Sequence, residues 1–124
     1  MNDYPRIVER DGSILIAFAA EAERSKRQEL KMVLDLNQKF EIIGIEIINL
    51  SFNLGRDCLR LINTITPTGD EGIKCRYDET CDAFYLRLRL ENSWIQKAVC
   101  GSVLLDTNNQ MVGLIAEWAP TAHP

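Results

Sequence analysis

The sequence predicts an α+β fold that is mainly antiparallel β, carrying one short helix. Three observations predict it: short runs that alternate apolar and polar residues, turn-forming pairs between those runs, and an approximate repeat of the whole pattern. In Ala83–Leu90, Phe84, Leu86, Leu88 and Leu90 alternate with Tyr85, Arg87 and Arg89. That is the period of a strand with one buried face; a helix would put both arginines across its apolar side.

The repeat is read from three ordered blocks. Ile14–Phe18 aligns with Phe84–Leu88, Met32–Asp35 with Val103–Asp106, and Ile43-Gly44-Ile45 with Val112-Gly113-Leu114, each about 70 residues apart. We read two copies, 4–50 and 73–118, within a single domain spanning 1–124. The joining segment 51–72 ends in the turn-rich Thr66-Pro67-Thr68-Gly69-Asp70-Glu71-Gly72. The drift in offset is assigned to a longer loop, Leu36–Lys39, in the first copy. One copy of about 50 residues is marginal alone. The pair is therefore expected to pack about a pseudo-twofold into one sandwich-like or barrel-like domain, doing in one chain what a single-copy protein does by dimerising.

The elements follow in order. Arg6–Glu9 and Ser13–Phe18 flank Asp11-Gly12, a two-residue hairpin signal. Leu15 and Ala17 stand where the outward face should be polar, so something is expected to cover them. Ala19–Glu29 has helical propensity but reads as a loop or irregular strand, with a short helix as the alternative. Gly44 and Gly113 mark bulges or close backbone approach within strands. Leu54, Cys58, Leu61 and Ile62 form one helical stripe, predicting a helix over 53–62 despite Gly55; a strand over 58–66 competes. Asn108-Asn109 turns the last hairpin.

Composition excludes more than it identifies. A net charge of −4 argues against nucleic-acid binding, which rests on basic residues neutralising phosphates. The N-terminal MNDYPRIVERDG lacks the apolar stretch of a signal peptide, and no run is long enough to span a bilayer, so the chain reads as cytoplasmic. Cys58, Cys75, Cys81 and Cys100 form no CxxC pair and read as free thiols. The sole histidine, His123, lies in a Pro-flanked tail. No cofactor is expected: phosphate-loop, dinucleotide and nucleophile-elbow motifs are all missing.

The candidate functional surface is Tyr77, Asp78, Asp82, Tyr85, Arg87 and Arg89. Asp78 and Asp82 are the best paired carboxylates, able in principle to act as base or metal ligands. Capping of a turn is the competing reading. Tyr77, Tyr85, Arg87 and Arg89 would form an aromatic and basic outer face. Trp94 and Trp118 read as core or rim, and Asp35, Glu46 and Asp106 as solvated charge.

The stretch Lys74-Cys75-Arg76-Tyr77-Asp78-Glu79-Thr80-Cys81-Asp82-Ala83-Phe84-Tyr85-Leu86-Arg87-Leu88 resembles the DUF2283 family of small bacterial and archaeal proteins. The shared pattern is a strand ending in Tyr-Asp, a short turn, then Asp-Ala-aromatic-Tyr-aliphatic-Arg-Leu. Val33–Leu36 with Gly44-Ile45-Glu46-Ile47, and Val103–Asp106 with Val112-Gly113-Leu114, resemble the family's second hairpin. The first copy has lost the Tyr-Asp and Asp-Ala signature, and the second lacks the Glu after Gly113-Leu114. The resemblance implies no activity, only a regulatory partner of the antitoxin kind.

The expected function is thus a non-catalytic interaction or regulatory module, with a protein partner or self-association, no nucleic acid and no membrane. Two alternatives stay open. One is a small hydrolytic or metal-dependent enzyme using Asp78 and Asp82. The other is small-molecule binding between the repeats.

Overall fold

A computed structural model describes residues 5–20, 22, 25–59 and 74–118. Eight strands form one antiparallel sheet: β1 (Arg6–Arg10), β2 (Ser13–Ala17), β3 (Lys26–Leu36), β4 (Ile42–Ile48), β5 (Lys74–Asp78), β6 (Ala83–Arg87), β7 (Ile95–Leu105) and β8 (Met111–Glu117). Helix α1 (Leu50–Leu54) and a 3-10 turn (Arg56–Leu59) follow β4. The spatial order is β1-β2-β8-β7-β3-β4-β6-β5. The fold is therefore mainly antiparallel β with one short helix, as the alternation predicts.

The sheet is a curled half-barrel, the barrel-like of the two expected shapes. Two bonds show the curl. Arg89, which follows β6, reaches Glu9 on the edge strand β1 at 2.9 Å. Trp118, which follows β8, donates its indole N–H to the carbonyl of Phe40 at 2.8 Å. The inner face holds the core: Ile14 and Ile16, Met32 and Leu34, Ile45 and Ile47, Phe84 and Leu86, and Val103 and Leu114 are all buried. The first four pairs are each two residues apart on one strand, the period-2 pattern of one buried face, while Val103 and Leu114 face each other across β7 and β8. Leu50, Cys58 and Leu59 join the same cluster from α1 and the 3-10 turn.

The outer face carries a second, smaller cluster. Leu104 and Val112 pack with Leu15, Ala17 and Ile115 beneath Ala22. This explains the apolar Leu15 and Ala17: Ala22, which follows β2, joins the cluster they pack against.

Several expectations are corrected. The helix lies at Leu50–Leu54, not over 53–62. Gly55, at φ 92°, ends it by returning its N–H to Ser51 at 2.7 Å. The stripe survives in part, since Cys58 is buried on the 3-10 turn; residues 60–62 lie outside the described ones. Within Ala19–Glu29, read as a loop or irregular strand with a short helix as the alternative, Lys26–Glu29 is regular strand: it opens β3 and pairs with Ser102–Leu105 of β7. Pairing overrides local helical propensity there.

The loop thought longer in the first half is not. Asn37 and Asp106 each begin a turn in which the side-chain oxygen accepts from the backbone N–H two and four residues on. Phe40 and Asn109 take matching left-handed φ of 62° and 61°. The matched positions are thus Leu36 with Leu105, so the alignment of Met32–Asp35 with Val103–Asp106 is two residues out of register. At Asp11-Gly12 only Gly12 adopts positive φ, where both positions were expected to be able to.

Candidate functional site

The site begins at a helix start that its own sequence leaves uncapped. Asn49 sits in the left-handed region at φ 60° and its side chain makes no capping bond to α1. The first N–H groups of any helix need an acceptor. Here it comes from 30 residues downstream: Asp82 accepts from the Ser51 N–H at 2.9 Å and the Phe52 N–H at 3.1 Å. Its own carbonyl accepts from the Leu50 N–H at 3.2 Å. Tyr77, on β5, donates its hydroxyl to the same carboxylate. Asp82 holds this position through a left-handed backbone, φ 52°, which Asp tolerates better than most residues.

Partial burial pushes the Asp82 pKa up, but the Tyr77 hydroxyl and the Ser51 and Phe52 N–H groups outweigh it. The net result lies at about 2. The carboxylate is therefore ionised at neutral pH and occupied by three donors. That makes it a poor proton acceptor and a good fixed negative charge. The same bond to Asp82 raises the Tyr77 hydroxyl above the ordinary tyrosine range.

Around this knot lies an open cleft of about 690 Å³, lined by Ser51, Phe52, Gly55, Leu59, Tyr77, Glu79 and Asp82. It lies between the α1 and 3-10 segment on one side and the β5–β6 hairpin on the other. Phe52 is 86% exposed on its rim, the most exposed large apolar side chain among the described residues. Ile48, half exposed, precedes it. No lysine or arginine is among the described lining residues.

The six candidate residues do not form one surface. Tyr77 and Asp82 meet in the cleft. Asp78 stands apart on the exposed turn, where its carboxylate accepts the Thr80 N–H at 2.9 Å; that bond is the main cause of its lowered pKa. Asp78 therefore shows the capping role. Tyr77 packs against the core cluster, on the face opposite Tyr85, so the expected single aromatic and basic outer face is split. Tyr85 lies on the outer face, with its hydroxyl donating to Asp35 at 3.0 Å and Gln96 donating to the other Asp35 oxygen at 2.9 Å. Desolvation and then Asp35 push Tyr85 up to about 12. Asp35, read as solvated charge, is instead the acceptor of this network. Arg87 is on the same face as Tyr85, by register beside Gly44. Arg89 ties the sheet closed, donating to the Ile42 carbonyl and to Glu9.

Ser51 and Phe52 were not singled out from sequence. The available signal was weak: an exposed aromatic beside a Ser at a helix start. Trp118 is buried and Trp94 is 59% exposed, which assigns one to the core and one to the rim. Among the described residues no three His, Cys, Asp or Glu side chains converge as a metal cluster would require. No helix among them is long and apolar enough to cross a membrane. No family model, curated protein or solved structure matches the chain.

Proposed function

We propose that the protein is a non-catalytic interaction module of the cytoplasm whose cleft beside α1 receives a basic side chain of a protein partner. One observation carries this reading: an 86% exposed Phe52 shares its cleft with Glu79 and with the ionised Asp82, and no basic residue is among the described lining ones. An aromatic face next to fixed negative charge attracts a guanidinium or ammonium group by Coulomb and cation–π terms together. A large exposed aromatic is also the usual anchor of a protein interface. The DUF2283-like residues support the same place, since Tyr77 and Asp82 line the cleft. On this reading an antitoxin-like role makes the partner a small basic protein.

The test is titration of the intact protein with an arginine-rich peptide and its glutamate-substituted counterpart. The basic peptide should bind, weaken with salt, and weaken at least tenfold against Phe52→Ala. Equal binding of both peptides, or turnover in a broad substrate screen, refutes the proposal. A second reading, small-molecule binding, moves from the space between the repeats to this cleft, whose volume of about 690 Å³ lies in the range of small-molecule sites. Binding of free arginine amide as tight as that of the peptide would favour it.

A further inference from the structure

The strand order contains an exchange that neither half could make alone. β2 and β3 are consecutive in sequence, yet β8 and β7 lie between them in the sheet. Likewise β6 and β7 are separated by β4 and β3. The first hairpin, β1–β2, docks on β8 of the second half, pairing Ser13–Ala17 with Gly113–Glu117. The hairpin β5–β6 docks on β4 of the first half, pairing Ala83–Arg87 with Gly44–Ile48. Each half thus lends its leading hairpin to the other.

The two lendings are matched in detail. In each half the strands run 5, 5, 11 and 7 residues. The register breaks fall at Asp35/Leu36 and Leu104/Leu105, equivalent places in β3 and β7. β3 and β7 pair with each other over their full 11 residues, with Leu30 opposite Gly101 and Lys31 opposite Cys100 at the centre. An antiparallel pair of equivalent strands is what a twofold axis through its midpoint produces. Gly12 and Asp82, which open the second strand of each leading hairpin, both take positive φ.

Three of the seven strand pairings cross between halves: β2–β8, β3–β7 and β4–β6. Without them each half keeps two separate two-stranded hairpins, and an isolated hairpin is marginal in water. Core side chains of β2 and β6 would lose the neighbours that bury them.

We propose that the protein is the single-chain form of a hairpin-exchanged dimer, so that β4 and β8 are docking edges built for the leading hairpin of a second unit of the same pattern. The unit each half fits is the other half of the same chain. This rests on strand order and register and is independent of the cleft.

The test cuts the full-length protein at a protease site inserted between Thr66 and Gly72. Light scattering after size exclusion should give the mass of one intact chain before and after cutting, with no loss on dilution to nanomolar concentration. Fragments that part in native buffer overturn the proposal. The purified fragments are then refolded singly and mixed. The mixture should regain the native spectrum and mass, while each fragment alone stays unfolded or pairs with a second copy of itself. A fragment that refolds alone into a cooperatively unfolding monomer overturns the exchange.

Discussion

Replacing Asp82 separates two roles that the structure assigns to one residue. The carboxylate caps α1 through the Ser51 and Phe52 N–H groups and accepts the Tyr77 hydroxyl, while the backbone holds φ at 52°. Asp82→Gly removes the cap and keeps the backbone unstrained. Losing such a cap costs about 1–2 kcal/mol, towards the lower end because the residue is only partly buried. Asp82→Ala loses the cap and also places a Cβ in the left-handed region, which adds about 1 kcal/mol. Asp82→Asn keeps a neutral acceptor and a tolerated φ, and should cost only about 0.5–1 kcal/mol. The expected order of stability is therefore wild type, Asn, Gly, Ala. Urea unfolding at pH 7 reads it directly, and each kcal/mol should also move the melting temperature by about 3–5 °C in a chain of this size. The charge adds a pH signature. The carboxyl titrates near 3.8 in the unfolded chain and at about 2 in the folded one. Its contribution is thus complete above the unfolded value and disappears as pH falls through the folded one. The gap between wild type and Asp82→Asn should stay constant above pH ~5 and close between ~4 and ~2. An Ala variant as stable as Gly refutes the backbone-strain part, and a Gly variant as stable as wild type, or a gap that ignores pH across that window, refutes the capping account.

Three further outcomes follow from other parts of the sheet. A Cβ on Gly113 would lie 2.7 Å from the Ile16 carbonyl, whereas one on Gly44 would meet the Tyr85 hydroxyl at 2.2 Å. Gly113→Ala should therefore cost more, about 2–3 kcal/mol of overpacking, and Tyr85→Ala should relieve Gly44→Ala but not Gly113→Ala in a double-mutant cycle by denaturation. Glu9→Gln breaks only an exposed ion pair and should cost under about 0.5 kcal/mol, while Arg89→Ala also strands the Ile42 carbonyl and should cost about 1–2 kcal/mol by the same measurement. In a thiol-labelling time course the exposed Cys100 should react first, and the exposed Cys81 next, because desolvation and Asp78 raise its pKa. Cys75, pushed up to about 11 by burial, and the buried Cys58 should wait for unfolding.

Local pattern made most of the strands legible. Phe84 and Leu86 alternate with Tyr85 and Arg87 because a strand turns successive side chains to opposite faces, and the structure buries the first pair as that period requires. The turn at Asn108-Asn109 was legible because asparagine accepts a left-handed backbone. The Lys26–Glu29 segment was legible only as a choice between loop and irregular strand, since its residues favour helix and the facing β7 makes it a regular strand. Of the site, the Asp78 cap was readable within its own turn. The Asp82 cap was not, because its donors are 30 and 31 residues away and belong to a helix that begins three residues earlier than its stripe suggested.

The sequence by itself thus determined the class, the strand faces and the turn chemistry, all of which act between residues a few positions apart. Only the tertiary structure decided which edge each hairpin joins. The leading hairpin could close the loop to its own half or to the other at nearly the same entropic cost, since that cost grows only slowly with loop length. Long-range burial breaks the tie: the full-length β3–β7 pairing sets the two halves back to back and leaves β8 and β4 as the edges where β2 and β6 are covered.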